Sequence, residues 1–224
     1  MASLGLIKAG IIEPVIADLR AHGTDVKPLL AKAKLPLVIA ERQEGLILWA
    51  SALKFLPIVA RYTGDPLFSA HCILNAGGKR PKRIASVSLV RAPTIFESIR
   101  TFVMRSNAIT TGATITFTVA DNWMWILRRP DKPDNIDSWH AEQFVIATFV
   151  KVISSLLGKS WQPQKLKIRQ ATRPVNIPSQ WSEADIESAN LHTAIGVDLV
   201  DIVSATSFDT ELAPPRDNSE QGGL

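Results

Sequence analysis

Residues 114–119 alternate without a break, Ile115, Phe117 and Val119 on one side and Thr114, Thr116 and Thr118 on the other. A period of two describes a strand. Ala120-Asp121-Asn122 is turn-forming, so this strand is expected to return as a hairpin through Trp123-Met124-Trp125-Ile126-Leu127. That second run is apolar at every position. A strand of this kind needs cover on both faces, which commits the chain to a sheet packed in layers.

The surrounding segments supply the layers. Residues 84–90 are β-branched and alternating, as a strand requires. Thr94 and Glu97 form a T-x-x-E capping box ahead of a helix carrying Ile95, Phe96, Ile99, Phe102 and Val103. A long helix is expected over 138–157, stopped by Gly158, and then a strand over 164–170 with one wet face. Residues 84–170 thus read strand, helix, strand, strand, helix, strand. This is the ferredoxin-like split β-α-β pattern, an α+β fold with an antiparallel sheet.

The first 78 residues read as helices. Leu4, Ile7, Ile11, Val15, Ile16 and Leu19 recur at helical spacing, with Pro14 either kinking the first helix or marking its true start. Gly23 closes it, and Asp25 is placed to cap the next. A longer helix over 47–62 meets Thr63-Gly64-Asp65-Pro66, which holds a helix stop, an N-cap and a first-turn proline in order, so 67–77 should be helical too. These helices are available for the sheet's other face or its edge. Residues 191–203 offer one or two more strands. The expected organisation is one domain over 1–205, helical over residues 1–78 and sheet-forming over residues 84–205, with a polar tail or linker over 206–224.

The single cysteine, Cys72, excludes an internal disulfide framework. The apolar start is interrupted by Lys8, Glu13 and Asp18, a pattern of an amphipathic helix and not of a signal peptide. No uncharged apolar stretch reaches the roughly 18 to 20 residues that span a bilayer. The densest is 144–150. A soluble, cytoplasmic chain without a membrane segment is expected. The formal charge of +4 is uneven: residues 1–112 carry fifteen Lys and Arg against seven Asp and Glu, and the rest ten against fourteen. Lys79, Arg80, Lys82 and Arg83 form the densest basic run, but no aromatic residue interleaves them as a single-strand binder would require.

Reactive motifs are broken where they begin. Gly158-Lys159-Ser160 resembles the end of a phosphate loop, but the glycine needed five positions earlier is Ile153. His140 and Glu142 make an H-x-E without the P-C-x-x-C of a zinc deaminase, and a solvated first helical turn accounts for both. His71 and Cys72 are adjacent, which does not suit two ligands of one metal on a helix. The reading therefore assigns no catalytic residue, no metal and no cofactor.

Three strings in order resemble the N-terminal arabinose-binding-type domain of one branch of AraC-type regulators. They are Leu-Arg-Ala-His-Gly at 19–23, Tyr-Thr-Gly-Asp-Pro at 62–66 and Ala-Pro-Thr-Ile-Phe-Glu-Ser-Ile at 92–99. The tryptophan hairpin and the long helix ending at Gly158 fit as well, so the resemblance spans residues 10–172. It implies a domain that senses a small molecule or lipid-like effector and supports dimerisation. In the family, a separate C-terminal domain of two helix-turn-helix units reads DNA. Residues 173–205 follow the family loosely, and the 21 residues after Val203 are too few for that second domain. DNA contact is therefore expected only through a missing C-terminal domain; a stand-alone small-molecule-binding or dimerisation module is the alternative.

Trp49, Phe55, Trp123, Trp125, Trp139, Phe144 and Phe149 fall on faces that should meet. They are plain core, or they line an apolar cavity between the N-terminal helices and the sheet. The ligand-binding residues under the second reading are Trp49, Trp123 and Trp125, with Arg91 and Arg128 at the mouth. Either arginine pairs with an effector carboxylate or projects into water. The effector is then apolar or amphipathic, and carboxylate-bearing in the first case. An enzyme would need a cluster of titratable groups in that cavity, which the sequence does not display.

Overall fold

A computed structural model describes residues 5–75, 92–131 and 138–205. The strand expected at 84–90, the basic run at 79–83, Arg91 and the tail at 206–224 lie outside the described residues.

The chain opens with a short strand, β1 (Leu6–Lys8), and not with the expected helix. A 3-10 turn follows, and α1 (Glu13–Ala21) begins with Pro14 in its first turn, where a missing N–H costs nothing. Proline marks the helix start. After α2 (Lys27–Lys32), whose Lys27 N–H donates to Asp25 Oδ1 at 3.1 Å, β2 (Leu46–Leu48) pairs antiparallel with β1. Next come α3 (Trp49–Thr63), closed by Gly64 at φ 70°, and α4 (Phe68–Leu74), entered through the Asp65 side chain that accepts from Leu67 N–H at 2.8 Å. The glycine stops at Gly23 and Gly64 are used as expected, but Ile47 falls in β2, Val26 and Leu67 take the N-cap positions expected of Asp25 and Asp65, and Pro66 precedes α4 instead of entering its first turn.

The Thr94 cap holds as well: in α5 (Ile95–Asn107), Glu97 N–H donates to Thr94 Oγ1 at 3.1 Å, and the Thr94 hydroxyl donates to Glu97 Oε2 at 3.3 Å. β3 (Ala113–Ala120) and β4 (Trp123–Pro130) form the expected hairpin, with Ala120 opposite Trp123. Asp121 and Asn122 both take positive φ, 51° and 65°, as a two-residue turn matched to strand twist demands. The core helix α6 (Ser138–Leu157) is followed by β5 (Lys165–Lys167) and β6 (Asp185–Glu187), which pair parallel. β7 (Thr193–Asp198) runs into α7 (Leu199–Ser204), because the Asp198 side chain caps Val200 N–H at 2.9 Å. The expected run of one or two strands over 191–203 is thus one strand and one helix.

The fold is α+β, and its main sheet has the order β3-β4-β7-β5-β6. The parallel pairing of β5 with β6 makes that sheet mixed, where a wholly antiparallel one is expected from the sequence. β7 is antiparallel to both β4 and β5. It therefore fills the inner position that a ferredoxin-like order reserves for the first strand. A segment that begins 70 residues after the start of β4 can do this because an antiparallel position asks only for direction and an apolar inner face. Ala194, Ile195 and Val197 are each fully buried there.

The N-terminal helices do not cover the tryptophan face. α3 and α4 pack on α6, which lies between them and the sheet. Gln143 Nε2 donates to Pro66 O at 3.0 Å, and Lys151 Nζ to Leu74 O at 2.9 Å, fastening that contact. Trp139–Leu157 is long and apolar enough by composition to cross a membrane, but 67 % of it is buried in the fold as the central helix.

Candidate functional site

One hydrophobic cluster runs from Ile16 and Phe55 in the helical region to Ile126 and Val197 in the sheet. Within it lies a cavity of about 90 Å³ bounded by the 3-10 turn, α3, α5, the hairpin and α6. Ile12, Leu53, Leu56, Phe102, Ile115 and Phe149 contribute apolar walls. Ser106, Thr110 and Thr148 are the neutral polar groups. Thr148 spends its hydroxyl on Phe144 O at 2.8 Å, inside its own helix. Among the described residues lining the cavity, Arg128 carries the only charge.

Arg128 reaches the cavity because β4 alternates. Met124, Ile126 and Arg128 share its inner face, so the hairpin register that buries the first two also buries the third. Its side chain is 2 % exposed, which corrects its expected place at the cavity mouth or in water. The guanidinium carbon lies 5.0 Å from the Trp49 ring centroid, within cation–π range. Trp49 also lines the cavity, and its Nε1–H is buried with no acceptor among the described residues. Gly112 makes this ring position attainable: a Cβ there would stand 2.5 Å from Trp49 Cγ.

Trp123 and Trp125 are not brought to this site. They project from the opposite face of β4, half-buried and outside the core cluster. Their rings lie over Gly196, whose added Cβ would be 3.1 Å from Trp123 and 3.3 Å from Trp125. Lys165 and Lys167 cover the rings from the next strand but one, with ammonium groups 4.8 Å and 4.7 Å from the two centroids. Among the described residues, the second face of the tryptophan strand is covered by lysine stems and not by helices.

Glu142, expected in a solvated first turn, is fully buried, while His140 is half-buried. The Glu142 Oε1 accepts Arg169 N–H at 3.0 Å. Burial pushes its carboxyl up, against the Arg169 N–H and the charges of Arg169 and Arg128, which act downward. The sequence does carry a signal for it: Glu142-Gln143 interrupts an otherwise apolar helix at positions whose neighbours are core. His71 is held by Asp65, Nδ1 to Oδ2 at 2.8 Å, and burial pushes the Cys72 thiol upward, away from the reactive thiolate. Among the described residues no group of three His, Cys, Asp or Glu is placed to hold a metal ion.

Such an arrangement can hold a small apolar molecule and offer its anionic end a buried guanidinium, and among the described residues it displays no nucleophile paired with a base. Compared with known proteins, the chain matches no family model and no curated protein.

Proposed function

We propose that this chain is the ligand-sensing and dimerisation domain of an AraC-type transcriptional regulator, acting in the cytoplasm, with DNA read by a helix-turn-helix domain outside these residues. The sensing half rests on one observation: a buried arginine stands at the wall of an otherwise apolar cavity. A guanidinium in that setting offers a ligand carboxylate a charge-assisted hydrogen bond that a neutral ligand forgoes. The effector is therefore a small apolar or amphipathic carboxylate. The cavity is smaller than the roughly 300 to 1,000 Å³ of drug-sized sites, so a larger effector enters by parting α3 from the hairpin. The regulator half rests on the order of the three strings within residues 10–172.

Association is supported by β3. Among the described residues it is an outer strand of the main sheet, and it carries no charged residue, so a second copy meets no repulsion on pairing edge to edge. Asn107 already occupies both backbone groups of Ile115, at 2.8 Å and 2.7 Å. By alternation the backbone of Phe117 and Val119 is presented to the partner.

The test has two stages. A thermal-shift screen of aliphatic carboxylates against matched alcohols is expected to raise the midpoint for the acids through binding to the native state. The chain is then joined to a two-unit helix-turn-helix domain and read with a promoter reporter, which should respond to the same acids. Binding without a reporter response removes the regulator half; no binding by any acid or alcohol removes the sensing half.

A further inference from the structure

Arg128 lines the cavity, stands opposite Thr193 across the β4–β7 pairing, and lies near enough to Glu142 for its charge to act on that carboxyl. Glu142 is fully buried in the second turn of α6 and shares its surroundings with three groups. Arg128 approaches from β4, Arg169 from the segment after β5, and the fully buried Thr193 hydroxyl from β7. On its own helix, His140 lies two positions earlier. Oε1 accepts the Arg169 N–H, whereas Oε2 is buried without a hydrogen bond of normal geometry among the described residues. The carboxylate thus relies on nearby positive charge for what water would otherwise supply.

We propose that Arg128 is shared between Glu142 and the ligand, so that seating an anionic ligand in the cavity transfers one proton from solvent to Glu142. This rests on the reading of the cavity as an effector site. A ligand carboxylate beside Arg128 adds a negative charge and draws on the guanidinium that supports the Glu142 anion. A buried anion deprived of its support is neutralised. The step moves a proton only: ligand anion, solvent proton and ionised Glu142 become ligand anion at Arg128 and neutral Glu142. Net charge inside the fold is then the same before and after binding. The uncharged acid form of the ligand is equivalent, since it brings the proton with it. Affinity should therefore fall as pH rises beyond the point where Glu142 ionises in the free protein, by at most about tenfold per pH unit for one linked proton. Because Glu142 also meets Arg169 and Thr193, its neutralisation is felt in β7 and in the segment after β5.

The experiment is isothermal titration of the full chain with hexanoate at several pH values from about 6 to 9, each repeated in two buffers of different ionisation enthalpy. The expected result is a buffer-dependent heat corresponding to proton uptake in the wild type, absent in Glu142→Gln, and absent for hexan-1-ol in both. Hexanoate binding with no buffer dependence in the wild type overturns the proposal and leaves the effector site standing. Binding of neither compound removes the effector site and this proposal together. If Glu142→Gln does not fold, the wild-type comparison still decides. A ligand-free arm tests the sharing by itself. A carboxyl raised by folding stabilises the native state below its unfolded value of about 4.3, and the contribution is lost as pH rises through the folded value. Arg128→Leu should move that loss of thermal midpoint to higher pH; an unmoved profile means that Arg128 does not support Glu142.

Discussion

Alternate residues of β4 meet two environments. On the inner face Met124, Ile126 and Arg128 join the core and the cavity, sealed by α6 and the helices behind it. On the outer face Trp123 and Trp125, larger and equally apolar, lie half-buried under two lysine stems. Size and hydrophobicity therefore do not rank these positions. Depth is set by what the neighbouring elements bring, and the inner face takes even a charged residue because hairpin register allows no single side chain to turn away.

The largest expected effect comes from the charged inner residue. Arg128→Leu at neutral pH should cost about 3–5 kcal/mol in urea unfolding, because it takes from a buried carboxylate one of its two nearby positive charges. Adding Glu142→Gln should recover part of that loss. A double variant no better than the single one would show that the two groups do not depend on each other.

Ile126→Ala should follow, with a loss of about 2–5 kcal/mol for a fully buried aliphatic side chain. Trp125→Ala sharpens the contrast. A buried tryptophan would lose about 3–5 kcal/mol, and a half-buried one on the outer face should lose only about 1–2. Equal losses for Ile126 and Trp125 by chemical denaturation would break the distinction between the faces. The smallest effect is expected from Lys167→Ala. It removes an ammonium from the Trp125 ring and an ion pair to Glu187 of 3.3 Å, together worth about 0.5–1 kcal/mol. Its more sensitive readout is Trp125 fluorescence, which should shift with the loss of the cation.

Much of the local structure is legible in residue order. The hairpin turn, the Thr94 cap, the Gly64 stop and the limits of α6 each depend on backbone geometry within a few residues, and those residues are adjacent in the chain. The site is half legible. Aromatic and cationic character point to Trp49 and Arg128, but they point equally to Trp123 and Trp125 on the premise that helices cover both faces. Arg91 lies outside the described residues. Glu142 carries a signal, as a polar break in an apolar helix, but its place near the helix start points to the solvated reading, because a glutamate there is ordinarily exposed.

Sequence alone determined the α+β class, the hairpin of β3 with β4, and which residues of β4 travel together, since period and turn residues are local properties; the register itself, with Ala120 in the strand opposite Trp123, came from the structure. Sequence did not determine which of the two β4 faces is the inner one. Both are apolar, and a period of two is indifferent to exchange of sides. Tertiary structure decided that, through the placing of α6 and the arrival beside β4 of β7, which starts 70 residues further along the chain. The same arrival put Thr193 against Glu142 and closed the buried cluster around Arg128. Such contacts join segments far apart in the chain, and no spacing in the sequence records them.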